Sequence, residues 1–298
     1  RSYVAVPSMV CVTKTQWNAD MVKQHTGRVC TVVGPSYEVD LFVPRERSRP
    51  MWPQAPIRIT AMVRTHSPRR SPLLTMQVLK AVAEEFQHQV EIVLFGVDPS
   101  ESMFLELPHD FAWTSAGMLT PQQMAALLNE MDIFVDFSAY QAMGLTALEA
   151  MACGVAVVVP QVGGADSFAV HERNALYVDT ADAEACLQAL RRLVLDHELR
   201  QSLQRQASVD VAAHAPERPA ARILKALFGA NLVNAGGADD LASQEGVAPV
   251  EPGLAPRPRT PLQVFHTPVR GRRRITVILD AMDDGARSAS QRAAILFG

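Results

Sequence analysis

The sequence predicts an α/β protein built on a mainly parallel sheet, and three observations carry that expectation. Residues 132–179 read as strand, glycine turn, helix, strand, glycine loop, helix and short strand. The strand segments, residues 133–137 and 155–159, are short unbroken runs of β-branched and aromatic side chains, as expected of strands buried on both faces. Glycines stand where those runs end: Gly144 after the first, Gly163 and Gly164 after the second. A glycine there permits a turn that a side chain would obstruct. Between the two strands, residues 145–153 are strong helix formers, and Gly154 stops the helix as a C′ glycine does. A strand end followed by a helix N-terminus is a place suited to an anion.

In chain order, residues 3–13 predict a strand leading to Thr13, residues 16–25 a helix, and residues 29–33 a second strand. Residues 45–54, rich in proline and charge, predict a linker. Residues 57–63 are a strand, residues 73–86 a helix and residues 90–96 another strand. Thr120 followed by Pro121 fits an N-cap with proline at N1, opening a short helix over 122–131. Past Asp179, apolar residues recur at helical spacing over 181–196 and 198–213, and a last helix is expected over 218–228. Residues 230–272 are rich in Ala, Gly, Pro and Arg and read as a flexible linker. Residues 273–280 predict a new strand and 288–296 a helix, either opening a further domain or docking as a hairpin on the main lobe.

Composition narrows the class. At 298 residues the chain has room for about two domains, and 48% hydrophobic with 20% charged residues suits a globular α/β protein. A net charge of −3 gives no basic excess with which to neutralise nucleic-acid phosphates. The four cysteines, Cys11, Cys30, Cys153 and Cys186, show no CxxC spacing, which favours reduced thiols over disulfides or a zinc site. No apolar run approaches the ~20 residues that span a bilayer. The opening Arg1-Ser-Tyr-Val, with no initiator methionine, reads as that of a fragment of something longer. No GxGxxG follows the strands at Ile57 or Ile133, which sets a dinucleotide oxidoreductase aside.

Residues 138–154, Ser138-Ala-Tyr-Gln141-Ala-Met-Gly144-Leu-Thr-Ala-Leu-Glu149-Ala-Met-Ala-Cys-Gly154, resemble the signature of family-4 retaining glycosyltransferases of GT-B architecture. That signature has two acidic positions eight apart; Glu149 matches the second, while Gln141 stands at the first, where the wider family usually has Glu. The likeness runs from about Ser8 to Gly229 and includes the segment at residues 34–44, similar to the family's crossing between lobes, and Ala116-Gly-Met-Leu-Thr120. It is strongest with the subgroup found in bacterial O-antigen and surface-polysaccharide assembly proteins.

The resemblance implies a fold and a domain plan. Residues 56–229 would be the Rossmann-like carboxyl-terminal lobe, binding the nucleotide-sugar donor. Residues 1–44 would be the end of a truncated amino-terminal lobe, 45–55 and 230–272 linkers, and 273–298 the start of a further domain.

It also implies roles. Arg64 and Arg70 would hold the donor diphosphate, where cations favour the charge that gathers on the leaving group; a solvated basic loop is the alternative. Glu149 would accept hydrogen bonds from the ribose, although Thr146-Ala-Leu-Glu149 also reads as a capping box. Gln141, Gly144, Leu145 and Thr146 would meet the donor sugar and phosphate, the glutamine both accepting and donating one bond. Backbone groups of Met118 and Leu119 would face the base. Gly163 and Gly164 read equally as a donor-sugar approach or a tight turn. His66, His109 and His171 are isolated, and Cys153 is read as packing.

No catalytic side chain is expected here, since the family's usually belong to the first lobe. No metal or other cofactor is expected, because no DxD motif falls in a suitable place. The expected function is transfer of a sugar from a nucleotide-sugar to a glycan or lipid-linked glycan acceptor, beside neighbouring domains of the same polypeptide and in the cytoplasm. The alternative is a non-catalytic nucleotide-sugar-binding or scaffolding domain.

Overall fold

The computed structural model describes residues 9–229. By backbone contacts the chain divides into residues 1–226 and 227–298, and the described elements fall almost wholly in the first unit. The expected linker at 230–272, strand at 273–280 and helix at 288–296 lie outside the described residues.

The first elements are short. Strand β1 (Val12–Thr13) pairs in parallel with β2 (Thr31–Val32), and helix α1 (Gln16–Thr26) connects them. Thr15 caps α1 by accepting the amide of Asn18, and Gly27, left-handed at φ 73°, ends it.

The main sheet holds β3 (Ile57–Met62), β4 (Val90–Phe95), β5 (Thr114–Gly117), β6 (Ile133–Val135), β7 (Ala156–Pro160) and β8 (Leu176–Val178). It is parallel throughout, in the order β5-β4-β3-β6-β7-β8. The order runs outward in both directions from the β3–β6 pair, where Ile59 lies beside Ile133 and Ala61 beside Val135. Such a reversal opens a crevice at the carboxyl ends of its two central strands.

Alternate residues of each strand enter different layers, as a period of two demands. Ile57, Ile59, Ala61, Ile92, Leu94, Val135 and Val158 face α2 (Pro72–Phe86) and α6 (Ala183–Leu195). Val93, Phe95, Phe134, Val157 and Val159 face α4 (Pro121–Asn129), α5 (Leu145–Ala152) and α7 (His197–Val211). Both faces of the central strands are thereby dry, which is why those strands read as unbroken apolar runs rather than alternating ones. A four-residue helix α3 (Ser102–Leu105) follows β4, and α8 (Glu217–Phe228) closes the described chain.

Most boundaries fall within a residue or two of those expected. Thr120 caps α4 in a full capping box with Gln123, and Pro121 opens the helix. Four segments differ. Of the strand expected over 3–13, the described residues form only Val12–Thr13. The helix expected between the Gly163–Gly164 loop and the last short strand is a 3₁₀ turn, Gly164–Ser167. Residues 114–117 form edge strand β5; Thr114 and Ser115 are exposed, so no apolar pattern announces it. Strand β6 stops at Val135 rather than 137, because the Asp136 side chain bonds the Ser138 amide and turns the backbone out of the ladder. The four cysteines are buried, and none forms a disulfide among the described residues. Among the described residues no helix is long and apolar enough to cross a membrane.

Candidate functional site

Every main-sheet strand runs the same way, so the loops that carry the predicted site residues gather along one edge. Arg64 follows β3, Gly96 follows β4, Met118 and Leu119 follow β5, Gln141 and Gly144 follow β6, and Gly163 and Gly164 follow β7. The amide of Gly96 donates to the carbonyl of Gly117 at 2.8 Å, tying the ends of β4 and β5.

Arg64 is partly buried, and its Nε is enclosed without a hydrogen-bond partner. A side chain at Gly96, left-handed at φ +83°, would put its Cβ 3.0 Å from Met62 and 3.5 Å from that nitrogen. Glycine at 96 thus supplies the left-handed turn and avoids crowding Met62 and the Val63 carbonyl, 3.2 Å away, beside the guanidinium. The loop beyond is held by Thr65, whose hydroxyl donates to Glu101 at 2.8 Å. A short 3₁₀ turn, Pro68–Arg70, then delivers the other two arginines. The carbonyl of Arg69 accepts the amide of Ala139 at 2.8 Å, which fastens this loop to the one after β6.

Asp136 sits where the loops meet, its side chain only 9% exposed. Its Oδ1 accepts from the Ser138 amide at 3.0 Å and the Ser138 hydroxyl at 2.5 Å. Its Oδ2 accepts from Gln141 Nε2 at 2.6 Å and lies 3.6 Å from Arg70 Nη1. Gln141, itself 4% exposed, gives its second amide hydrogen to Ser138 Oγ at 3.0 Å and receives Arg69 Nη1 on Oε1 at 3.4 Å. Both amide hydrogens are therefore used inside the protein, and the donating half of the expected sugar contact is not available. The accepting half keeps one lone pair.

The backbone of Gln141 bridges to Gly163, and its carbonyl accepts the Gly164 amide at 2.8 Å. A Cβ on Gly163 would meet that carbonyl at 2.0 Å; one on Gly164 would meet the Ala142 carbonyl at 2.3 Å and Thr15 Oγ1 at 2.6 Å. Glycine at both positions permits this close backbone packing. Thr15, fully buried, donates its hydroxyl to the Ala142 carbonyl at 2.8 Å. Beside it Trp17 stacks on Tyr140 at 5.5 Å between ring centroids, with the Arg69 guanidinium 6.0 Å from the Tyr140 ring centre. The start of α1 therefore clamps the loop that leads to α5.

Helix α5 has Gly144, φ +85°, as its N-cap and no capping side chain. Its first-turn amides, including those of Leu145 and Thr146, have no acceptor within the helix. The capping-box reading of residues 146–149 does not hold: Thr146 is the second helical residue and Glu149 lies in the second turn. The cap position needs a left-handed backbone, which glycine supplies and threonine resists.

Glu149 is partly buried, and no hydrogen bond to its carboxylate occurs among the described residues. Burial, reinforced by the charge of Glu38 and opposed by Lys14, pushes its carboxyl up to about 8. Cys153, one turn on, is pushed by burial up to about 12, an unreactive thiol that accepts from Asn129 Nδ2 at 3.5 Å.

Met118 is exposed while Leu119 packs on the core, so the two share only their place beyond β5. His66, His109 and His171 are exposed. No metal-holding cluster of His, Cys, Asp or Glu occurs among the described residues. A groove of about 440 Å³ between β8 and α6, lined by His171, Tyr177, Gln188 and Arg192, shares no residue with this edge. Sequence reasoning missed Asp136, Thr15, Trp17 and Tyr140. Only Asp136 left a signal, being a carboxylate at the end of a buried apolar run, where a charge requires partners.

Residues 57–196 match the family model described as glycosyl transferases group 1. A D-inositol 3-phosphate glycosyltransferase of Corynebacterium jeikeium is 29% identical over 213 residues, covering 64% of this chain and 50% of that protein. An O-antigen biosynthesis protein of Myxococcus xanthus is 28% identical over 211 residues, covering 70% of this chain and 16% of that protein. The chain thus spans half or less of the length of these relatives. Among solved structures, Anabaena Alr3699/HepE in complex with UDP and glucose shares the fold, with a TM-score of 0.59 and 16% identity over 78% of this chain and 63% of that one.

Proposed function

We propose, from the match of residues 57–196 to the group 1 glycosyl transferase model, that this chain carries the donor-binding lobe of a retaining, metal-independent glycosyltransferase. The diphosphate of a nucleotide-sugar rests between Arg64, Arg70 and the first-turn amides of α5, from Gly144 through Leu145 and Thr146. The ribose hydroxyls donate to Glu149, backbone groups of Met118 and Leu119 face the base, and Oε1 of Gln141 accepts from the donor sugar.

The observation that carries the reading is the enclosed, unpartnered Nε of Arg64 on the same strand-end edge as the uncapped helix α5. A buried guanidinium nitrogen lacking an acceptor, at the same sheet edge as amides lacking acceptors, suits an anion. Those cations and amides would stabilise the leaving diphosphate as the glycosidic bond breaks, the service a metal ion otherwise supplies.

The acceptor we propose is a glycan or lipid-linked glycan of surface-polysaccharide assembly; the support is the O-antigen biosynthesis relative. Four free, buried thiols support work in a reducing, cytoplasmic compartment.

The test is calorimetric titration of the chain with UDP, GDP, ADP and dTDP. One of the four is expected to bind, and Arg70→Ala to weaken it roughly ten- to a hundredfold, the worth of a charge-assisted hydrogen bond of about 1.5–3 kcal/mol. Unchanged affinity in Arg70→Ala rejects the diphosphate assignment.

A further inference from the structure

We propose that Asp136 is a positioning residue of the diphosphate site: it orients Arg70, and it can do so only with an uncharged amide at 141. This deepens the donor-binding reading and rests on it.

Asp136 is a carboxylate that faces Arg70, its Oδ2 lying 3.6 Å from Nη1. Its own freedom is removed from three directions. Ser138 donates twice to Oδ1, by amide and by hydroxyl, and Gln141 donates to Oδ2 at 2.6 Å. With its oxygens engaged inside the protein and its side chain 9% exposed, Asp136 acts through Arg70 rather than on a ligand. The oxygen that faces Arg70 is the one Gln141 holds. Rotation of the carboxylate would break that bond and move the guanidinium's anchor away from the β3–β6 crevice. Gln141 is fixed in turn by Ser138 Oγ at 3.0 Å, by Arg69 and by the backbone bridge to Gly163.

Residue 141 must therefore be a donor. A glutamate there would bring two carboxylates to about the 2.6 Å of the present bond, where like charges cannot both ionise. One of the two would have to keep a proton at a cost in stability, or the pair would separate and carry the oxygen that faces Arg70 out of position. The same logic makes the two positions exchangeable: an amide at 136 and an acid at 141 rebuild one amide–carboxylate bond with the donor and acceptor reversed.

The experiment is a double-mutant cycle on the full chain with Asp136→Asn, Gln141→Glu and the two combined. Two quantities are read: melting temperature, and calorimetric affinity for whichever of UDP, GDP, ADP and dTDP binds the wild type, alongside its parent nucleoside. Asp136→Asn is expected to weaken the nucleoside diphosphate about tenfold and leave the nucleoside unchanged, because only the phosphate contact depends on Arg70. Gln141→Glu is expected to lower the melting temperature and weaken the diphosphate at least as much. The double variant is expected to melt above Gln141→Glu, while its diphosphate affinity stays as low as that of Asp136→Asn, because the amide nitrogen at 136 rather than an oxygen then faces Arg70. Additive losses of melting temperature in the double variant overturn the pairing, and equal weakening of nucleoside and diphosphate in Asp136→Asn overturns the positioning of Arg70. If no nucleotide binds the wild type, the donor reading fails and the Arg70 role with it, while the melting cycle still decides the Asp136–Gln141 pairing.

Discussion

Replacing Glu149 by Gln tests the ribose assignment and the electrostatics of the crevice together. The wild-type carboxyl is raised from an ordinary 4.5 to about 8, first by burial and then by Glu38. A carboxyl whose folded-state pKa exceeds its unfolded value holds a proton longer in the folded protein. Stability therefore falls as pH rises above about 4.5 and levels off beyond about 8. At pH 7 the full shift corresponds to about 3 kcal/mol. Glu149 is not wholly buried, so solvent screening brings the expected effect to on the order of 1–2 kcal/mol. Glutamine is neutral at every pH and nearly isosteric. The variant should match wild type at pH 4 and melt progressively higher than it, by roughly 2–8 °C at pH 7, with the difference growing to about pH 8. Nucleotide binding should move the other way. A ribose hydroxyl bonds best to an ionised acceptor, so nucleoside diphosphate binding near pH 7 should release a proton from wild type, and affinity should rise from pH 6.5 to 8.5. Calorimetry in buffers of different ionisation enthalpy reads that proton directly. The glutamine variant should bind more weakly and release none. A melting difference that does not change with pH refutes the raised pKa; proton release identical in both proteins refutes the ribose role.

Three further outcomes follow from the packing. Gly164→Ala places a Cβ about 2.3 Å from the Ala142 carbonyl, and because backbone rather than a flexible side chain is in the way, a loss of roughly 1–3 kcal/mol is expected in denaturant unfolding. Thr15→Val keeps the volume but removes both the donor to that carbonyl and the acceptor that caps α1; it should cost about 1–3 kcal/mol and loosen the Trp17–Tyr140 stack, visible as a change in tryptophan emission. Arg200, 2% exposed, donates to the Leu193 and Val194 carbonyls and to His197 Nδ1. Arg200→Ala should destabilise by about 2–4 kcal/mol while leaving nucleotide affinity of the folded fraction unchanged, which separates stability from the site.

Much of this was legible along the chain, because each signal was local. Glycine at the end of an apolar run, Thr120 before Pro121, and helical spacing over 183–195 depend only on neighbours in sequence, and all appear where expected. Strand β5 was not legible, since an edge strand with exposed polar residues has no pattern to show. The capping box at 146–149 misled for the opposite reason. Its letters were right, but Gly144 offered a left-handed cap two residues earlier and the helix began there.

The sequence alone determined the α/β class, the parallel sheet, the order of its loops and the residue types that reach the crevice. It could not determine what Gln141 is for. As a letter in a motif it is an amide where an acid is usual; in three dimensions it is the donor that holds Asp136. The tertiary structure alone decided that, along with the clamp of Thr15 on the Ala142 carbonyl, 127 positions away in the chain. Periodicity and turn chemistry are set by adjacent residues, whereas the meaning of a polar side chain is set by whichever donors and charges the folded sheet brings against it.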